Sequence, residues 1–498
     1  MRLAVAVPAG VVLLALGAIG AVAQLDQHAP GPNPAASTVR QVAVTSAARA
    51  CPPALGGGQG TIASIAAIAA PTGSGQAELT SLPPAGVQLR PVAGVSETSP
   101  GVLSLLTVPA APSAAKKGTP APTGWSVTAS GAMAQAIETE VAQSSGLASV
   151  RCGEPGSDIW FVGPGQQNGA AQIQLDLMNV DSLAASVDVS LITDAGPVQT
   201  GSDTGITVPP HETVTESLSS AAAHSSVVAI EVHTSVGRVA ADVSEGASGG
   251  STASWLPSAA GPSTHLVIPG VPPSSSAPGL FLVVPGGSNA KVDVLAITPQ
   301  GQYRPFASQA VDLPGQSASY VPLTPLGGTA AALEVTADVP VTAAVMVPGS
   351  GVGAFTAATG PISEQAVVAG NPSRSGFAAS VVLSAPAAAA RVRVTEIAAA
   401  SSTGAGAGAG AGPGASASDV VSVRAGHTLV VPVTAPKEAK RGSAFAVVIT
   451  PLAGSGPMYA ARVETQGQST VVSIIPAASA LTTISLPPVR DSYTAISP

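Results

Sequence analysis

The stretch Gln172-Ile173-Gln174-Leu175-Asp176-Leu177, with Ser186-Val187-Asp188-Val189-Ser190-Leu191 after it, decides the fold class of this chain. In both runs an apolar residue stands at every second position. An extended backbone turns successive side chains to opposite faces, so Ile173, Leu175 and Leu177 line one face and Gln172, Gln174 and Asp176 the other. A helix, with a period of about 3.6 residues, would scatter the same side chains around its circumference. The pattern is that of a strand with one face on a core and the other in water.

Working outward, the motif recurs as Lys291-Val292-Asp293-Val294 and Arg391-Val392-Arg393-Val394, the mark of a weak internal repeat. Each copy opens with an apolar strand: Ile159-Trp160-Phe161-Val162, Leu280-Phe281-Leu282-Val283-Val284, and Ala379-Ser380-Val381-Val382-Leu383. Each continues with a strand, a turn and a second strand, the turns being Pro210-His211-Glu212, Pro314-Gly315-Gln316 and Ala425-Gly426-His427. Each closes with Val239-Ala240-Ala241-Asp242-Val243, Val341-Thr342-Ala343-Ala344-Val345 or Tyr459-Ala460-Ala461-Arg462-Val463 and further apolar segments. About seven short strands per copy, with turns every 8 to 12 residues or so, predict an all-β chain of tandem immunoglobulin-like β-sandwich modules.

The predicted modules are residues 157–271, 279–370 and 376–490, the last with a Gly/Ala-rich insertion at 404–411. Residues 51–156 are expected to be a diverged copy, with Val127-Thr128-Ala129-Ser130-Gly131-Ala132-Met133-Ala134 as its closing strand. Residues 133–144 contain Ala, Gln and Glu, good helix formers, so a short helix is the alternative there. Residues 109–123 and 245–251 are predicted to be loops by their Pro, Ala, Gly and Ser content.

Composition narrows the function. Charged residues make up 9% of the 498, well under the ordinary ~25%, and the net charge of −8 offers no basic field for phosphates, so nucleic acid is excluded as an expected partner. The hydrophobic 45% contains only 3% aromatics, so cores are expected to be built of Ala and Val. The 55 Gly and 46 Pro cut the chain into strand-length segments.

Met1-Arg2 followed by the uncharged run 3–23 is the pattern of an export signal, and Ala21-Val22-Ala23 fits a small-x-small cleavage site between Ala23 and Gln24. The run is also near the ~20 residues that span a bilayer, so residues 1–23 are a signal peptide or a signal anchor, and the membrane is expected to be met only there. Residues 24–50, rich in Pro, Ala and Ser, are predicted to be a linker. Cys51 and Cys152 are the only cysteines, and such a pair in an exported chain predicts a disulfide tying the first strand of the first module to its last.

No motif carries catalysis. Gly246-Ala247-Ser248-Gly249-Gly250 matches G-x-S-x-G without the strand-to-helix turn that would expose its serine. Ser113-Ala114-Ala115-Lys116 lacks the partner motifs of the penicillin-binding enzymes. His211 and His427 occupy a turn that carries Gln316 in another copy, and His224 and His233 match no metal-ligand spacing. Asp176, Asp181 and Asp188 are expected at outward strand or turn positions. Trp125, Trp160 and Trp255 would stack on sugars if exposed, whereas Trp160, inside an apolar strand, is expected to fill a core.

Cys51-Pro52, Gly146-Leu147-Ala148-Ser149-Val150-Arg151-Cys152, Trp160-Phe161-Val162-Gly163-Pro164-Gly165, the strand to Leu177-Met178-Asn179 and the export signal together resemble actinobacterial exported proteins grouped as a domain family of unknown function. The resemblance implies an actinobacterial envelope and no catalytic residues to carry over. The expected function is that of an exported, non-enzymatic envelope or extracellular protein that binds an envelope protein or glycan and needs no cofactor or metal. A carbohydrate-binding or cell-wall-processing module and an elongated spacer are the alternatives. A mature chain beginning at Gln24 is expected, and mass spectrometry of the native N-terminus checks it; a chain retaining residues 1–23 would make the segment an anchor.

Overall fold

The computed structural model describes residues 40–53, 55, 61–67, 74–82, 95–97, 102–108, 124–143, 148–168, 172–198, 204–246, 253–273, 277–305, 310–324, 326–348, 353–398, 416–437, 444–467 and 470–486. The predicted signal segment, its Ala23/Gln24 cleavage site, Ser113 to Lys116 and the 404–411 insertion lie outside them. The described chain is strand joined by turns, with two short 3-10 segments, Ala132–Ala134 and Gln166–Asn168, as its helical elements. Arg40–Ala43 pairs antiparallel with Thr483–Leu486 in a two-stranded ribbon, one compact unit. Residues 44–482 are the other.

Within 44–482 a single pairing scheme occurs four times. The first strand of a module pairs with the sixth, the sixth with the third and the third with the fourth; the fifth pairs with the second, the second with the seventh and the seventh with the eighth. In the second module these eight strands are Asp158–Pro164, Gln172–Met178, Ala185–Thr193, Ile206–Val208, Thr213–Ser217, Val227–Val236, Ala240–Gly246 and Ala253–Leu256. Phe161, Leu175, Val189, Ile230, Val243 and Leu256 come from both of its sheets and share one core. The alternation of residues 172–177 is therefore that of two sheets facing one another, with Ile173, Leu175 and Leu177 inward. The order 1-6-3-4 over 5-2-7-8 differs from the immunoglobulin order, in which the first strand lies beside the second. In the third module the sixth and seventh strands are one 17-residue strand, Ala331–Val347, that passes from one sheet to the other.

Several sequence expectations shift. Of the predicted linker 24–50, Arg40–Ala43 and Ser46–Cys51 are strands; Ser46–Cys51 pairs with Gly124–Gly131 as the first strand of the first module. Its Ala/Ser composition hides an inward set within small residues. Gly124–Gly131 is the sixth strand and not the closing one, because Ile137–Gln143 and Ser149–Arg151 follow it. The helix alternative for 133–144 gives way to the strand Ile137–Gln143, paired on both sides. Ser263–Val271 pairs with Ala331–Val347, and Ala366–Asn371 with Phe445–Pro451, so each is the first strand of the module after the one to which its number assigned it. Ile159-Trp160-Phe161-Val162 belongs to a first strand and Leu280 to Val284 to a second, although both are apolar runs of similar length.

The modules are not strung end to end. The 1-6-3-4 sheet of each lies against the 5-2-7-8 sheet of the next, and the fourth closes on the first. Ala50 and Leu82 meet Met178 and Ala240. Val162, Val227 and Ala229 meet Phe281, Val283 and Ala344. Val267, Ile297 and Ala332 meet Tyr459. Val367, Ala369 and Val448 meet Ala66. Leu280 to Val284 are all fully buried for this reason: Leu280, Leu282 and Val284 face their own core, and Phe281 and Val283 face the second module. At Gly270, a bulge with φ +80 brings the first strand of the third module onto the fourth, where a Cβ would lie 2.3 Å from that of Ala461.

Cys51 ends the first strand of the first module and Cys152 follows its eighth, so the disulfide joins the two sheets of that sandwich. It closes 101 residues, for which the chain-entropy model gives up to ~4.7 kcal/mol. Cys51→Ala with Cys152→Ala is expected to lower stability by about 2 to 5 kcal/mol, and Phe281→Ala by about 3 to 5, both measured by denaturant unfolding.

Candidate binding site where the four modules meet

The chain leaves each module by crossing from its eighth strand back to its first. Bridges at Ala50 with Gly153, Trp160 with Ala259, Val267 with Thr359 and Ala366 with Ser479 mark the four equivalent crossings. The crossings converge because each module rests on the next in the same way. Between them lies a cavity of about 390 Å3, lined by Gly153 and Arg151 of the first module, Asp242, Trp255 and Pro257 of the second, Thr359 of the third and Ile474 of the fourth. That volume falls at the lower end of the range usual for small-molecule sites, about 300 to 1,000 Å3.

Two ion networks border it. Arg151 holds Glu138 through both carboxylate oxygens, at 2.7 Å from Nε and 2.6 Å from Nη2, while Arg49 reaches Glu138 at 3.2 Å and Glu154 at 3.6 Å. Burial alone would raise the Glu138 carboxyl, but Arg151 and Arg49 outweigh it and hold it below the ordinary glutamate value. The second network ties the fourth module to the first. The fully buried Arg462 lies 3.0 Å from Glu140 and 3.4 Å from Glu464, and donates to Ser149 Oγ at 2.6 Å and to the Gly370 carbonyl at 2.9 Å. The Gly370 N–H in turn donates to Glu140 at 3.0 Å. Burial pushes the Glu140 carboxyl up to about 7, against the opposing pull of Arg462 and the Gly370 N–H.

Asp242 lies across the strand pair from Asp176. Thr215 and Gln174 donate to Asp176 at 2.6 and 3.4 Å, and burial raises its carboxyl to about 6. Burial, with the Asp176 charge added, raises Asp242 well above the ordinary aspartate value, while Arg151 opposes the shift. Asp242 is 3% exposed and Trp255 4%, and among the described residues neither Asp242 Oδ2 nor the Trp255 indole N–H has a hydrogen-bond partner. Thr359 Oγ1 is likewise without one.

Asp176 is thus outward from its own sandwich, as its alternation predicts, yet buried beneath the neighbouring module. Asp181 pairs with Arg238 at 2.8 and 3.0 Å, and Asp188 accepts from the Gly205 N–H at 2.8 Å. All three tryptophans are buried, so none is an exposed stacking platform; Trp160 turns away from the core that Phe161 fills. The left-handed turn position is shared by His211, Gln316 and Gly426, and His427 begins the next strand. Gly246 ends a strand, and the rest of its G-x-S-x-G string lies outside the described residues.

A family model described as a family of unknown function (DUF5719) matches residues 110–434. The chain belongs to that family. Its match runs from before the sixth strand of the first module to just beyond the fifth strand of the fourth, so DUF5719 takes in the second and third modules whole and most of the cavity wall. No curated protein and no solved structure matches the chain.

Glu140, Asp242 and Arg462 do not stand out as a set on composition or spacing. Their signal is the repeat position: Glu140, Asp242, Ala344 and Arg462 each precede the valine of the closing-strand motif, and three charges at one repeat position are unusual in a chain with so few. An acid whose folded pKa lies above its unfolded value binds more protons when folded, so stability falls as pH rises between the two. That interval runs from 4.5 to about 7 for Glu140 and from 3.8 to about 6 for Asp176. Glu138 has the opposite sign, its contribution being lost as pH falls through its depressed folded value. The unfolding midpoint is therefore expected to rise from about pH 8 to about pH 5 and to fall again in stronger acid, with Glu140→Gln flattening the upper limb. Calorimetry across that range checks both.

Proposed function

We propose that this chain is an exported, non-enzymatic protein of the cell envelope or extracellular space, whose four modules form one body that binds an envelope protein or glycan. The observation that supports this most is the Cys51–Cys152 disulfide, because such bonds persist in oxidising compartments. The N-terminal pattern of Met1-Arg2 and an uncharged apolar run agrees with it. The charges Arg49, Glu138, Arg151, Glu140 and Arg462, all buried but the part-exposed Arg151, are engaged with one another, within the first module and between the first and fourth. A body closed in this way presents a fixed surface to a partner and loses little conformational entropy on binding.

Crosslinking on intact cells, followed by fractionation, tests the reading. A specific crosslinked species is expected with the protein in the envelope or medium and both cysteines oxidised. A cytoplasmic protein with free thiols overturns export, and an exported protein that stays uncrosslinked overturns partner binding.

A further inference from the structure

We infer that two copies of this chain pair edge to edge and antiparallel through Ser416–Val423, with Val420 of each copy opposite Val420 of the other. This strand ends the 1-6-3-4 sheet of the fourth module, and among the described residues no strand pairs with its far side. In the other modules the same edge is short. Ala185–Thr193 of the second module is bordered by Gly196–Val198 and Ile206–Val208, and Ala290–Thr298 of the third by Gly301–Tyr303 and Val311–Leu313, strands of three residues each. Val95–Glu97 is the equally short counterpart in the first. In the fourth module one strand of eight residues runs unbulged along Ala390–Ala398. Sheets keep foreign strands off with short edges, Lys, Pro or bulges. Ser416–Val423 has none of these, and Asp419 is its one charge.

The direction of the free backbone groups follows from Arg391. Its N–H donates to Ser455 Oγ and its carbonyl accepts from the Leu452 N–H, both on the side of Phe445–Pro451. By alternation Val392, Val394 and Glu396 turn theirs the other way, to Val421, Asp419 and Ala417. Ser418, Val420 and Ser422 therefore aim N–H and C=O out of the sheet, and all three are exposed, Val420 by 49%. Outward residues alone can exchange hydrogen bonds with a new strand, and a two-fold axis then passes through a residue position. Centred on Asp419, the pair would set two like charges directly opposite, which is destabilising. Centred on Val421, it would set Val420 against Ser422. Centred on Val420, it joins Val420 to Val420, Ser418 to Ser422 and Asp419 to Val421, with about six backbone hydrogen bonds and no opposed charges. That self-complementarity argues for a second copy as the occupant. One strand from each copy covers less than the roughly 1,600 Å2 of a standard interface, so the dimer is weak and forms with concentration. This inference rests neither on export nor on an envelope partner.

Sedimentation velocity of the full chain from about 1 to about 100 μM, with oxidation of single-cysteine variants, tests it. The mass is expected to rise from one chain toward two. Val420→Pro removes an outward N–H and no bond to Ala390–Ala398, and is expected to weaken association at least roughly tenfold. Opposed residues of a hydrogen-bonded pair have Cα atoms about 5.5 Å apart, a separation that a disulfide spans, and Cys51 and Cys152 are already joined. Val420→Cys is therefore expected to cross-link two chains on oxidation. Ser418→Cys, about 13 Å from its counterpart in this register, is expected not to. A wild-type chain that stays monomeric throughout overturns the inference. So does association that Val420→Pro leaves unchanged, or cross-linking through Ser418→Cys as readily as through Val420→Cys. Because the concentration series is run on the unaltered protein, it remains decisive even if a variant fails to fold.

Discussion

Everything in residues 44–482 depends on sheets that are buried on both faces. A sandwich module ordinarily buries the inner faces of its two sheets and leaves the outer ones to water. Here each outer 1-6-3-4 face is covered by the outer 5-2-7-8 face of the next module, and the last module covers the first. Sheets packed at the usual ~10 Å leave little room for large side chains. Ala50, Ala240, Ala229, Ala344, Ala332 and Ala369 supply the contacts accordingly. The scarcity of charge and aromatics, which on its own suggests thin, modest cores, is the composition that a chain with two kinds of apolar interface requires.

The same stacking explains why ionisable groups near the centre behave unlike surface residues. Asp176, Asp242, Glu140 and Arg462 all occupy outward positions on strands, where an isolated sandwich would leave them hydrated. Covered by a neighbour, they are desolvated. Where a counter-charge is supplied, as by Arg151 and Arg49 for Glu138, the carboxyl is held in its charged form. Where the supply is weaker than the burial, as for Glu140 and Asp242, the carboxyl is pushed above its ordinary value. A buried pair contributes little net stability, since desolvation offsets its attraction, but breaking one leaves an uncompensated charge. The Arg462–Glu140 contact is therefore better understood as fixing which module meets which than as a source of stability.

Each module meets its neighbour through two different surfaces, a heterologous contact of the type that closes into a cycle when the rotation per step permits. The short crossings make that geometry possible. Ser258-Ala259-Ala260-Gly261-Pro262 carries the chain directly from the eighth strand of the second module to the first strand of the third, with no flexible spacer between. The disulfide joins the first strand of the first module to the segment that follows its eighth.

The sequence by itself determined the strand character, the repeat and the cysteine pair, because these are set by neighbours along the chain: the period-two alternation of Ile173, Leu175 and Leu177, the recurrence of Val-Ala-Ala strands, and two cysteines with only each other to bond. It did not determine where each copy begins. Ile159 to Val162 and Leu280 to Val284 are both apolar runs, and only their pairing, the first with Val227–Val236 and the second with Ser317–Pro322 and Ala331–Val347, tells a first strand from a second. Nor did it place Glu140 against Arg462. Glu140 and Arg462 lie hundreds of residues apart, and what brings them together is the closing of the fourth module on the first, a consequence of how sheets stack in space and not of any local pattern.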